Sequence, residues 1–281
     1  MKKIFALFLI LLMGALFLNV FAQDKQPSFS VKTSGKGKQP ILFIPGFTCS
    51  GDVWNETTAH LGNAYTSYVL TMSGYAGSPA QAAPNLDIWI EDIAAYVRKN
   101  KLDHPVIIGH SLGGGVAMAL ATRYPDLFSK IIIVDALPCL GSLMNPAFKS
   151  EVKPDCSAIQ NQIMPLTDSQ FYKMQKRTIT QLCMDTLAQK AIVNWGVTTD
   201  RKTYADTYCQ FANMDQRESI GQIKIPALVL LEARFVNFKP AIEDQYKQLK
   251  TATLKFANKG LHFIMYDDKE WYLDQIDNFL K

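Results

Sequence analysis

Charge, histidine and internal repetition are what this chain has little of. Of its 281 residues only 19% are charged, four are His, and 29 Lys+Arg nearly balance 25 Asp+Glu. The formal charge of +4 falls to +2 once Lys2 and Lys3 are set aside with the N-terminal segment discussed below. A surplus so small and scattered argues against nucleic acid as a partner. No stretch repeats with a period of about 20–50 residues, which excludes a solenoid or a propeller. The five cysteines (Cys49, Cys139, Cys156, Cys183, Cys209) show no metal-ligand spacing, so structural zinc is not expected. Long disorder is excluded as well, because 48% hydrophobic residues supply enough apolar side chain to offset the entropy of ordering.

Residues 1–22 read as a signal peptide. Lys2 and Lys3 form a positive start, Ile4 to Leu18 is apolar except for Gly14, and Val20-Phe21-Ala22 puts a small residue before a cut that leaves Gln23 first. The expectation is an exported protein, periplasmic or secreted, with no stable membrane anchor after cleavage. An uncleaved anchor is the alternative, and the short apolar run argues against it. No Cys follows that run closely, so a lipoprotein anchor is not suggested. All five cysteines lie beyond the cut, where an oxidising compartment permits disulfides and an odd count leaves at least one thiol free. Four of them fall between Cys139 and Cys209, so bridges there would staple a single segment; the pairing is not readable from sequence.

From residue 23 onward, short apolar runs alternate with helical patterns. A first hairpin is expected around residues 29–38. Ile41–Ile44, Tyr68–Met72, Val106–Ile108, Ile131–Val134, Leu228–Leu231 and Leu254–Phe256 read as buried strands. Asp87 to Lys99 reads as a helix capped by Asp87, with Trp89, Ile93 and Val97 on one stripe, Leu112 to Tyr124 as a helix stopped before Pro125, and Glu270–Leu280 as a terminal helix. Continuous apolar strands separated by helices predict an α/β fold, a mostly parallel central sheet covered on both faces. Residues 138–221 break this rhythm with Met- and Gln-rich helical segments and read as a helical cap inserted into a core made of 23–137 and 222–281.

The run Val106-Ile107-Ile108-Gly109-His110-Ser111-Leu112-Gly113-Gly114-Gly115 carries the chemistry. A buried strand passes through Gly109-His110-Ser111-Leu112-Gly113 directly into a helix, the context a nucleophile elbow requires. Ser111 must occupy a sharp, strained turn so that its hydroxyl projects from the sheet, and side chains at Gly109 and Gly113 would strike the neighbouring strand and helix. The Leu112 N–H, at a helix N-terminus, is placed to donate to a developing oxyanion. A serine that merely caps the helix is the bland alternative.

On these residues the chain resembles the α/β-hydrolase fold superfamily, from about Ile41 to Lys281. The resemblance identifies Pro45-Gly46-Phe47 with the family's oxyanion loop and makes the Phe47 N–H the partner of Leu112; Pro45 stands where a His is frequent. Met72-Ser73-Gly74-Tyr75-Ala76-Gly77-Ser78 resembles a Gly-rich turn that shapes the pocket. Of the four histidines, only His262 follows the last strand, where the family's base sits. The usual acid position after the strand Leu228–Leu231 falls on Phe235, so the expected acid is missing. Some members carry it one strand earlier, which here is Asp135; Glu232 is the other candidate, and Asp135 is the one preferred. Asp267 and Asp268 read as caps of the last helix.

The resemblance implies acyl transfer by Ser111, His262 and an acid, without cofactor or metal, on a small-molecule ester or related acyl substrate. A dehalogenase would need a carboxylate where Ser111 stands. Carboxylic ester hydrolysis is the default, with a peptidase or amidase, a lactonase, or a non-catalytic binding protein of the same fold as alternatives. Trp54 and His110 are candidate pocket residues. Met164, Phe171, Tyr172, Met174, Trp195, Tyr204, Tyr208 and Phe211 could line an acyl pocket, although a cap must bury some of them simply to form a core.

Overall fold

A computed structural model describes residues 27–281; the expected signal peptide lies outside the described residues. Seven strands, β1 (Phe29–Gly35), β2 (Gln39–Ile44), β3 (Tyr65–Met72), β4 (Val106–His110), β5 (Lys130–Val134), β6 (Ala227–Leu231) and β7 (Ala252–Phe256), form one sheet in the order β1-β3-β2-β4-β5-β6-β7. All neighbours are parallel except β1 and β3. Parallel strands need crossovers, and helices supply them. They are α1 (Asn55–Leu61), α2 (Leu86–Lys99), α3 (Leu112–Arg123), α4 (Gly141–Met144), α5 (Ser157–Ile163), α6 (Asp168–Leu182), α7 (Thr186–Thr198), α8 (Arg201–Ala212), α9 (Lys239–Tyr246), α10 (Ile264–Asp267) and α11 (Lys269–Leu280).

The apolar runs are continuous because each strand serves two cores at once. Alternate residues of a strand point to opposite faces. Leu42, Ile44, Ile107, Ile131, Ile133 and Val229 therefore pack with Trp89, Ile93, Val116 and Leu120 from α2 and α3. Ile41, Phe43, Ile108, Ile132, Val134 and Leu230 face Trp54, Tyr272 and Ile276 on the other side. Full burial of each such side chain contributes about 1.5–3 kcal/mol, so the central strands are fixed in register by many independent terms.

Two local expectations give way to longer-range ones. The chain from Phe29 makes one strand, not a hairpin: β1 turns at Gly35 and pairs antiparallel with β3, Phe29 opposite Met72, because that edge offers a free row of backbone groups. The cap of α2 is Asn85, whose side chain accepts from the Asp87 and Ile88 N–H groups. Asp87 instead meets Arg123 of α3.

Between β5 and β6 the chain runs through α4 to α8, which pack over the C-terminal ends of the strands. The contacts are specific: Asp200 N–H donates to the Gly74 carbonyl at 2.8 Å, Tyr75 and Thr207 hydroxyls lie 2.7 Å apart, and Gln216 Nε2 donates to the Gly115 carbonyl at 3.0 Å. A small core of Ile163, Phe171 and Ala205 belongs to these helices alone. A disulfide joins Cys156, just before α5, to Cys209 in α8, while Cys49, Cys139 and Cys183 are buried free thiols.

Candidate active site

The C-terminal ends of β2, β4 and β5 and the loop after β7 converge at one point, where open α/β sheets bind ligands. At the end of β4, Ser111 has φ 53° and ψ −122°, a conformation costly for any residue with a Cβ. The neighbours explain how it is held. Its N–H donates to the Val134 carbonyl at 2.9 Å, and its own carbonyl accepts from Gly114 and Gly115. A Cβ at Gly109 would sit 2.1 Å from the Gly113 carbonyl oxygen, and one at Gly113 would sit 2.4 Å from that of Ile44. The turn closes only with glycine at both places.

The two candidate acids differ in direction. Asp135 follows β5 at φ 46°, and its side chain is wholly buried. Its Oδ2 accepts from His262 Nδ1 at 2.6 Å, and its Oδ1 accepts from the Glu232 N–H at 2.6 Å. Glu232, the alternative, contributes that backbone donor while its carboxylate pairs with Arg234 at 3.2 Å. Burial, together with the nearby Asp135, pushes the Glu232 carboxyl up, and Arg234 partly offsets this. Phe235, at the usual acid position, lies on a 3-10 turn and lines the cavity.

With Nδ1–H committed to Asp135, the other ring nitrogen of His262 is left to accept a proton. His262 and Ser111 line the same cavity, and no hydrogen bond joins Ser111 Oγ to His262 among the described residues. Such bonds tighten when substrate arrives. His110 is fully buried, its ring 4.6 Å from that of His262. Its Nε2 lies 3.0 Å from the His262 carbonyl oxygen. Burial and the neighbouring His262 hold His110 well below the ordinary imidazole value, so the ring is neutral and Nε2 carries the donated proton. His110 does line the cavity, but its polar contact is with the His262 backbone.

Phe47 follows β2 and lines the cavity, and Leu112 follows Ser111 at the start of α3. The Leu112 N–H opens α3 and has no acceptor within that helix, and the Phe47 N–H is likewise unpaired among the described residues. The Phe47 ring packs against Tyr204 and Tyr208 of α8 at 4.6 and 5.4 Å. Trp54 is a correction. The short turn Gly51–Trp54 swings its indole inward, where it is fully buried against Phe43 and the edge of His110 and does not line the cavity.

The cavity measures about 500 Å³. Its far walls come from the segment between β5 and β6: Leu140, Gln175, Ile179, Leu182, Tyr204 and Tyr208. Tyr204, Tyr208 and Phe211 thus serve the pocket, whereas Phe171 fills the insertion's own core and Met164 and Tyr172 are exposed. Sequence reading missed the α6 contribution, which carries no aromatic signal on its cavity face. It also missed Cys49, whose thiol burial pushes up to about 12.

The sequence profile of the alpha/beta hydrolase fold matches residues 39–269. The chain belongs to that family. Among curated relatives it is 24% identical over 200 residues to a pimeloyl-[acyl-carrier protein] methyl ester esterase of Salmonella heidelberg, covering 71% of this chain and 77% of that one. Among solved structures, the enol-lactonase from Burkholderia xenovorans LB400 superposes with a TM-score of 0.75 at 16% identity, covering 90% of this chain and 96% of that one. A thermophilic esterase from Thermogutta terrifontis gives 0.73 at 16% identity, with 90% and 92% covered. These family members are named as esterases and a lactonase, which supports the expectation of an enzyme acting on ester bonds.

Proposed function

We propose that the protein is an exported serine hydrolase that cleaves carboxylic esters of small or medium size. The observation that carries this reading is the 2.6 Å contact between Asp135 Oδ2 and His262 Nδ1, beside a cavity that Ser111 also lines. Ser111 Oγ attacks the ester carbonyl carbon and gives its proton to His262. The carbonyl oxygen, now negative, is met by the Phe47 and Leu112 N–H groups. His262 protonates the departing alcohol, leaving an acyl-Ser111. Water then attacks as His262 takes its proton, and the acid leaves as Ser111 is restored. Asp135 holds the ring and stabilises its charged form throughout.

A cavity of this volume is at the small end of the ligand range, which favours short or medium acyl groups. The N-terminal segment and a Cys156–Cys209 bridge both suit an oxidising compartment. The test is hydrolysis of p-nitrophenyl esters from acetyl to long acyl by residues 23–281, with Ser111→Ala beside it. Turnover that depends on Ser111 and peaks at short or medium length is expected. Turnover that survives Ser111→Ala removes Ser111 from the mechanism, and no turnover from folded protein favours a binding role.

A further inference from the structure

The loop that carries His262 is held at several points besides its acid. Asp268 Oδ2 accepts from the Asn258 and Lys259 N–H groups at 3.0 and 3.2 Å, so Asp268 braces this loop and does not cap α11 with its side chain. The Phe263 N–H donates to the carbonyl of Leu182, the last residue of α6, at 3.2 Å. Asp267 differs from these because its two oxygens serve two segments. Oδ2 accepts from the Leu261 N–H at 2.9 Å, immediately before the base. Oδ1 accepts from the Met184 and Asp185 N–H groups at 2.8 and 3.0 Å, in the turn that joins α6 to α7. The helix entering that turn is the one that gives Gln175, Thr178, Ile179 and Leu182 to the cavity wall.

We propose that Asp267 is a positioning residue that couples the α6 wall of the cavity to the His262 loop, so that an occupied cavity sets the base in place. This rests on the reading of His262 as the base for Ser111. Hydrogen bonds to a carboxylate are shorter and stronger than neutral ones, so both arms hold their segments firmly to the same group. An acyl chain pressing on Ile179 and Leu182 moves the turn at Met184, and the same carboxylate carries that displacement to Leu261. A shift of about 1 Å in a reacting group costs on the order of 10²-fold in rate, so a small movement at this seam is read out in turnover. A plain structural brace would hold the loop equally well whatever fills the cavity.

Asp267→Asn separates the two. The amide keeps the shape but offers one accepting oxygen, and its NH₂ opposes the N–H groups of the other arm. Two measurements are made: kcat and KM across the acyl series, and amide hydrogen exchange at Met184, Asp185 and Leu261 before and after Ser111 is labelled by a p-nitrophenyl alkylphosphonate. In the wild type, labelling slows exchange at Leu261 as well as at Met184 and Asp185. In Asp267→Asn that protection of Leu261 is lost, and kcat falls about tenfold or more, increasingly with acyl length, while KM changes little. An equal loss at every acyl length, or Leu261 exchange that ignores labelling in the wild type, overturns the coupling; the second result needs no variant to fold. A phosphonate that fails to label Ser111 overturns the catalytic reading first and the coupling with it.

Discussion

The ends of the central strands and the inserted helices meet at one cavity but are built differently. Around Ser111 and Asp135 nearly every residue from Val106 to Ala121 and from Ile131 to Cys139 is buried, and two backbone conformations at positive φ are held by close contacts. The insertion has a private core of three buried residues, a disulfide, and large exposed side chains such as Met184 and Leu187. Reacting groups need positions fixed within fractions of an ångström, which only a dense two-sided core supplies. Walls that choose a substrate tolerate replacement. The difference predicts that changes at the strand ends alter rate on every substrate, while changes in the insertion alter which substrate is preferred.

The largest effect should come from Ser111→Ala, which is expected to lower kcat by about 10⁶ on every ester, read by steady-state kinetics. Asp135→Asn should follow, with a loss of about 10⁴ as His262 loses the partner that sets its tautomer, and circular dichroism should show a native fold. Within the insertion, Tyr208→Ala should enlarge the cavity and move the preferred acyl length upward, changing relative kcat/KM by about tenfold per substrate step. A loss shared equally by all esters would break the comparison. Cys156→Ser opens a loop of 53 residues and should lower stability by at most about 4 kcal/mol in thermal melts, leaving the shortest ester near its wild-type rate. The smallest effect belongs to Glu232→Gln. A carboxyl pushed up in the folded state makes the native form bind more protons than the unfolded one, so stability falls as pH rises through its folded value. The variant should gain relative to wild type above that pH and not below it, in paired melts, with turnover little changed.

What could be read in the chain was whatever local pattern dictates. Each central strand announced itself because two-sided burial leaves no polar position. The turn at Ser111 did so because only glycine fits at Gly109 and Gly113. Partners and directions were less legible. Gly35-Lys36-Gly37-Lys38 is good turn chemistry, yet it says nothing of β1 choosing β3 over the adjacent β2. Asp135 and Glu232 directly follow strands paired Val134 to Leu230, so their backbones lie close together and side-chain direction tells them apart. Asp267 and Asp268 look like helix caps in sequence. Their carboxylates turn back instead, to backbone N–H groups left unpaired by the loop before them.

The bridge between Cys156 and Cys209 begins and ends within the inserted run. A covalent tie of this kind limits how that run can deform internally and places no bond across its seam with the sheet. The run's hold on the sheet therefore rests on non-covalent contacts such as Asp200 to Gly74 and Tyr75 to Thr207, so reducing the bridge would loosen the run internally and leave that seam with the same set of bonds.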